Sequence, residues 1–195
     1  YQPDGGEVLV DGRPVRFGAP RDALAAGIAT IAQELALVPE LSVRENVFLG
    51  VEPRRFGVVQ RDELRRRFAA LDARTGFGVP GDTLVGDLRL ADRQKVEILR
   101  ALARNARLIL MDEPTASLTA DETDRLLAIV RRLAAEGTAI VLVSHFLDEV
   151  LAVSDQVTVM RDGHLVRTSP AAQETAETLV AAMIGRRLDL AFPAR

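Results

Sequence analysis

At 195 residues, 48% hydrophobic and 27% charged, the chain can build one substantial core, or a core with a smaller lobe, which excludes disorder. A formal net charge of −3 and an aromatic content of 4% argue against a nucleic-acid partner or an anionic lipid surface, and no apolar run approaches the roughly 18 residues of a membrane span. The absence of cysteine rules out disulfides and thiolate metal sites and suits the cytosol; Lys95 is the sole lysine, a bias toward arginine that fits a GC-rich bacterial genome.

Taken in order, residues 1–6 (YQPDGG) are turn-forming, and residues 7–11 and 14–17 read as an antiparallel hairpin turned at Gly12. A short helix over residues 21–26 stops at Gly27, and the apolar stretch 28–32 reads as a strand ending at Gln33-Glu34. From Leu35 to about Asp87 an all-helical insertion is expected, with helices over 43–49 and 60–75, the second carrying arginines on its solvated face. The α/β rhythm then resumes with a helix over 91–104 whose Val96, Leu99 and Ala103 share a face. Thr119-Ala120-Asp121-Glu122 fits a capping box; its helix points Leu126, Val130 and Leu133 at the core and ends at Gly137. Residues 140–143 read as a second buried strand, followed by His145 and a helix over 146–153. Residues 157–160 and 165–167 pair through an Asp162-Gly163 turn that leaves His164 exposed, and a helix over 174–184 follows.

The chemistry concentrates at residues 108–119, LILMDEPTASLT. Leu108, Ile109, Leu110 and Met111 suit a strand buried on both faces, with Asp112 and Glu113 following where it emerges. Pro114 cannot donate to a ladder and restricts Glu113, so pairing should stop there and leave both carboxylates at the rim. Open parallel sheets bind ligands at the carboxyl ends of their strands. An Asp-Glu pair alone is more often a solvated strand end than an active site, so further signals in the right order have to carry the argument.

The order of parts resembles the nucleotide-binding domain of an ATP-binding cassette transporter. Gln33 looks like the Q-loop, LILMDEP like the extended Walker B, residues 116–119 like the D-loop, and Ser144-His145 like the switch histidine. LRLADRQKVEILRAL, from Leu88, stands where the family's LSGGQ signature belongs. IAQELALVPELSVRENVFLG and MIGRRL look like the tandem ATPases of simple-sugar importers of the ribose, galactose and xylose type, in particular their first nucleotide-binding domain. The resemblance implies an α/β fold: a parallel P-loop NTPase-like sheet core with a helical subdomain and an N-terminal antiparallel β hairpin. It divides the chain into an antiparallel and core remnant over 1–34, a helical signature subdomain over 35–104, and a RecA-like core over 105–195.

The resemblance also assigns roles. Asp112 would hold Mg²⁺, Glu113 would orient or deprotonate the attacking water, and His145 would bond the γ-phosphate and that water. Gln33 would offer its amide oxygen to the metal or water. Arg89, Leu90, Ala91 and Asp92 of the signature and Ser117 of the D-loop would face a nucleotide, with ATP and Mg²⁺ as cofactors. The implied partners are permease subunits docking on the helical subdomain, a second nucleotide-binding domain and, indirectly, an extracytoplasmic solute-binding protein. The place of action would be the cytoplasmic side of the cell membrane, peripherally.

Two departures qualify this reading. No G-x-x-x-x-G-K-[ST] occurs in residues 1–195, because Gln94 precedes the sole lysine. The family's first strands and phosphate loop would lie upstream of Tyr1, and a chain lacking them is expected to bind ATP poorly, to hydrolyse none alone, and to leave sheet edges unpaired. In the signature, Arg89 stands for the serine and Leu90 and Ala91 for the glycines. Arg89 then either supplies charge in place of a hydroxyl or weakens the half-site.

The leading expectation is an ATP-binding, ATP-hydrolysing subunit of a bacterial importer for a simple sugar or similar small polar solute. The alternatives are a non-catalytic pairing half-domain that completes a partner's ATP site, an importer of nucleosides or another small solute, and a soluble ATPase of DNA repair or translation. The last is disfavoured by the short helical insertion and the acidic balance.

Overall fold

The computed structural model describes residues 4–32, 35–116 and 118–185. Strands β1 (Val8–Val10) and β2 (Arg13–Val15) form the expected hairpin, turning through Asp11 and Gly12 at φ 51° and 72°. Two successive left-handed residues match the twist of a tight hairpin, and Asp-Gly adopts them at low cost. Helix α1 (Pro20–Ala25) has proline in its first turn, and the Asp22 carboxylate accepts the Gly18 and Ala19 N–H groups at 2.8 and 2.9 Å. Gly27, at φ 78°, ends it and leads into β3 (Ile28–Ile31).

Helix α2 (Val43–Phe48) is opened by Ser42, whose hydroxyl accepts the Glu45 N–H while the Glu45 carboxylate accepts the Ser42 N–H at 2.9 Å. Contrary to the expectation from sequence, the insertion is not all-helical. Between α2 and α3 (Arg61–Thr75) lies a small exposed hairpin, β4 (Arg54–Arg55) with β5 (Val58–Val59). It turns through Phe56 and Gly57 at φ 51° and 80°, the conformation seen at Asp11-Gly12 but with a bulky residue in the strained first place. The Phe56 ring is 94% exposed, beneath the Arg55 guanidinium at 5.5 Å. The arginines of α3 are solvated as expected, Arg66 and Arg67 pairing with Glu63 within the helix.

Helix α4 (Leu90–Ala103) leads into β6 (Leu108–Asp112); α5 (Ala120–Ala135), β7 (Ala139–Val143) and α6 (Leu147–Val153) follow. Strands β8 (Gln156–Arg161) and β9 (His164–Pro170) pair antiparallel around Asp162-Gly163, and α7 (Ala176–Ile184) packs on β8. The central sheet is parallel, in the order β3-β6-β7, with Ile31 beside Met111 and Met111 beside Leu142. All three strands therefore end at the same edge.

One core joins the sheet to the helical region. Val96, Ile98, Leu99 and Leu102 of α4 share one buried cluster with Ile31, Ile109 and Met111 of the sheet and with apolar residues of α2, α3 and α5. Burying each such side chain contributes about 1.5–3 kcal/mol, which makes α4 the main bridge between the layers. A second cluster, Val150, Val157, Val159, Leu179 and Ala182, lies under α7. Two strand expectations change. Strand β6 is fully buried through Ile109 and Met111 but only half-buried through Leu108 and Leu110. Strand β7 is not a buried strand: Val141 and Val143 are 45% and 54% exposed, and among the described residues it pairs only with β6.

Polar ties join distant segments. Asn46, wholly buried, accepts the Val38 N–H at 2.8 Å through Oδ1 and donates through Nδ2 to the carbonyls of Val38, Leu41 and Ser42. Arg107 donates to Asp11 at 2.7 Å and to the Ala26 carbonyl at 3.3 Å. On α4, the buried Glu97 faces Arg100 at 3.5 Å, and burial raises its carboxyl above the ordinary range.

Candidate functional site

The common edge of β3, β6 and β7 carries the acidic residues. Asp112, the last residue of β6, is exposed, and its carboxylate makes no hydrogen bond or ion pair among the described residues. Glu113 turns into the left-handed region at φ 46° and donates its N–H to the Val143 carbonyl at 2.8 Å, the last bond of the ladder. Pairing ends before Pro114, as expected. A non-glycine residue at positive φ is a strained turn of the kind found where a side chain has to be aimed.

The turn after β7 is set by Ser144, whose hydroxyl accepts the Phe146 N–H at 3.0 Å. This leaves the His145 ring at the rim, tilted against the Phe146 ring with centroids 4.2 Å apart. His145 Nδ1 then lies 3.0 Å from Glu113 Oε1, with the histidine 57% and the glutamate 32% exposed. Two side chains from separate strand ends thus meet one residue beyond Asp112, in a place open to water and to a ligand.

The other expected site residues lie elsewhere or outside the description. Gln33 and Ser117 lie outside the described residues. Arg89 caps the start of α4, with Leu90, Ala91 and Asp92 in its first turn. Among the described residues no hydrogen bond or ion pair joins these four to Asp112, Glu113 or His145. Asp92 instead pairs with Lys95 at 2.6 Å, which occupies the chain's sole lysine on α4. At the start of α5, Glu122 accepts the Thr119 N–H and hydroxyl, each at 3.0 Å. Those bonds, with the Arg89 charge behind them, hold the Glu122 carboxyl below its ordinary range.

Among the described residues no group of three metal-ligating side chains forms. Mg²⁺ is commonly held by one or two carboxylates with waters and substrate phosphates rather than by an all-protein cage, so the unpartnered Asp112 fits that mode of binding.

Three residues that sequence reasoning passed over support the acidic turn. Gln94 of α4, buried, donates Nε2 to the Pro114 carbonyl. Thr115, also buried, donates its hydroxyl to Glu149 of α6 at 2.6 Å. A glutamine on the apolar face of α4 was the available signal for the first. A glutamate four positions after His145 was a fainter one for the second.

The chain is similar to known proteins along nearly its whole length. A profile described as ABC transporter matches residues 1–116. A ribose import ATP-binding protein, RbsA 1, of Streptomyces avermitilis is 48% identical over 193 residues, covering 99% of this chain and 37% of its own length. A putative ribose/galactose/methyl galactoside import ATP-binding protein of Burkholderia ambifaria is 49% identical over 195 residues, covering 100% and 38%. The chain thus spans under two fifths of the length of these curated relatives. Among solved structures, the ATP-binding cassette MJ1267 in its ADP conformation superposes with a TM-score of 0.78 at 23% identity, over 95% of this chain and 79% of that one. CbiO1 of Clostridium perfringens, part of an ABC transporter complex, gives 0.76 at 24% identity, over 99% and 75%. These likenesses establish the α/β cassette fold, and with the profile match and the sequence relatives they lead to one conclusion: this chain belongs to the ABC transporter family.

Proposed function

We propose that the chain forms part of the ATP-binding and ATP-hydrolysing subunit of a bacterial importer for a simple sugar of the ribose or galactose type. The observation that carries this reading is the meeting of Glu113 and His145 at 3.0 Å, one residue past Asp112 at the end of β6. Phosphoryl transfer to water asks the protein to place the water and to offset charge on the γ-phosphate oxygens. Glu113 accepts a proton from, or orients, the attacking water, and His145 fixes the Glu113 carboxylate while presenting its other ring nitrogen outward. Asp112 would hold Mg²⁺, which when bound offsets phosphate charge. Gln33 would contribute its amide oxygen there, while Arg89 to Asp92 and Ser117 would face a nucleotide shared with a second nucleotide-binding domain.

In this reading the segments 1–34, 35–104 and 105–195 divide the labour as hairpin and core edge, helical signature region, and hydrolytic core. The helical region meets permease subunits at the cytoplasmic face of the membrane; no described helix is long and apolar enough to cross it. With no G-x-x-x-x-G-K-[ST] in residues 1–195, these residues alone bind Mg-ATP weakly. Solute choice belongs to the permease and binding protein.

The test is sugar-stimulated ATP turnover of the subunit assembled with its permease. Loss of turnover in Glu113→Gln with Mg-ATP binding retained supports the reading, and unchanged turnover sinks it. A second reading is a pairing half-domain serving a partner's ATP. It requires stimulation of the partner that Glu113→Gln leaves undiminished.

A further inference from the structure

The turn that carries Glu113 is held from two helices as well as from the sheet. Glu113 itself is fixed by its N–H bond to the Val143 carbonyl at 2.8 Å. The next residue, Pro114, is buried, and its carbonyl accepts the side-chain amide of Gln94, 9% exposed on the inner face of α4. The residue after that, Thr115, 3% exposed, donates to Glu149 of α6 at 2.6 Å. Helix α6 follows directly on His145 and Phe146. The residues flanking Glu113 are thus tied to the helix of the signature region and to the helix behind its histidine partner.

Gln94 is out of place as a packing residue. Its neighbours Val96, Ile98 and Leu99 are apolar and fully buried, and among the described residues its own Oε1 finds no hydrogen-bond partner. A half-satisfied amide is a costly filler where methionine or leucine would pack as well. What it supplies is a donor to a carbonyl one residue from Glu113, from a helix whose first turn, Leu90 to Asp92, lies at the surface. Any displacement of that helix end is passed through the Gln94 amide to the turn.

We propose that Gln94 and Glu149 are positioning residues that hold the left-handed turn at Glu113 so that its carboxylate meets His145, and that Gln94 makes this alignment depend on the placement of α4. The inference rests on the reading of Glu113 and His145 as the water-handling pair. Neither positioning residue touches the reacting atoms. Because left-handed geometry is unfavourable for glutamate, the turn relaxes once its ties are cut, and the carboxylate swings off the histidine.

The chain has two histidines, His145 and His164, so ring-labelled histidine gives two sets of NMR signals, with His164 in the β8–β9 hairpin as internal reference. The measurement uses the 195-residue chain without nucleotide. Glu113→Gln is expected to displace the His145 ring signals. Gln94→Met, which keeps the volume and removes the donor, is expected to displace them by at least half as much with His164 unmoved. Glu149→Leu should act likewise, while Glu149→Gln, which keeps an acceptor for Thr115, restores the wild-type positions.

A folded Gln94→Met chain with unmoved His145 signals overturns the proposal, whatever its melting temperature. If Gln94→Met does not fold, the reciprocal measurement decides. The rim substitution Glu113→Gln has to displace the Gln94 side-chain amide signals, and their constancy overturns the proposal. If Glu113→Gln leaves the His145 ring unmoved, the pair itself is refuted, and the functional reading falls with it.

Discussion

His145 Nδ1 and Glu113 Oε1 stand 3.0 Å apart although 32 positions separate them in the chain, because parallel strands β6 and β7 deliver both residues to one edge. Both are partly solvated, and an exposed pair of this kind adds only about 0–1 kcal/mol to folding. His145→Ala should therefore change thermal stability little. In the subunit assembled with its permease, the same substitution should lower ATP turnover by roughly 10²–10⁴-fold, the usual range for a positioned acid–base group. Glu113→Gln should do the same, and the double variant should be little worse than either alone, since the two act as one unit. Additive losses in steady-state turnover would argue against the pair.

The φ of 46° at Glu113 leads to a trade between stability and activity. Asparagine tolerates left-handed geometry better than glutamate, at a saving of about 1 kcal/mol. Glu113→Asn is expected to raise the melting temperature by about 2–4 °C, the shift for 1 kcal/mol in a chain of this size, while abolishing turnover. Calorimetry and an ATPase assay on the same preparation check both halves.

Phe56-Gly57 adopts the turn that Asp11-Gly12 and Asp162-Gly163 adopt elsewhere in the chain. Phe56→Asn supplies the residue that this turn favours and removes a ring 94% exposed. Stability should rise by about 0.5–1 kcal/mol in urea denaturation, with no change in the rest of the fold.

The hairpins show what the sequence made legible. Asp11-Gly12 and Asp162-Gly163 announced their turns by residue type, whereas RRFGVV hid one because phenylalanine is not a residue that favours positive φ. The acidic rim was readable from a strand followed by Asp, Glu and Pro, and from Ser-His after the next strand. The supports of that rim were not. A glutamine and a glutamate on helices read as solvated until the fold shows which backbone groups they face. The exposed face of β7 was equally hidden, since Ile140 to Val143 look alike and only the neighbours decide which are covered.

The Asn46 side chain joins the segment before α2 to the helix itself, accepting one backbone N–H and donating to three backbone carbonyls. Asn46→Leu preserves the volume and leaves the Val38 N–H without its acceptor, while the three carbonyls keep backbone donors. One donor left unpaired costs about 1–3 kcal/mol, seen as a melting temperature at least about 2 °C lower.

Glu174 accepts hydrogen bonds from Ser169, Thr178 and Arg167, and these hold its carboxyl at about 2 against an ordinary 4.5. A depressed carboxyl stabilises the fold fully above its unfolded value and loses that contribution as protons return. Between pH 4.5 and about 2 the wild type should therefore lose stability that Glu174→Gln never had. Melting temperatures of the two, well separated at pH 7, should converge near pH 2; parallel curves would show that the hydrogen-bonded cluster does not act.

The Asp11–Arg107 contact, at 2.7 Å with both partners more than 60% exposed, has a further consequence for handling the protein. Counterions at molar concentration shrink the reach of such an attraction to about 3 Å, against about 10 Å at 0.1 M. Crystals grown from concentrated ammonium sulfate should therefore show weaker density for the β1–β2 hairpin than crystals grown from polyethylene glycol at low ionic strength.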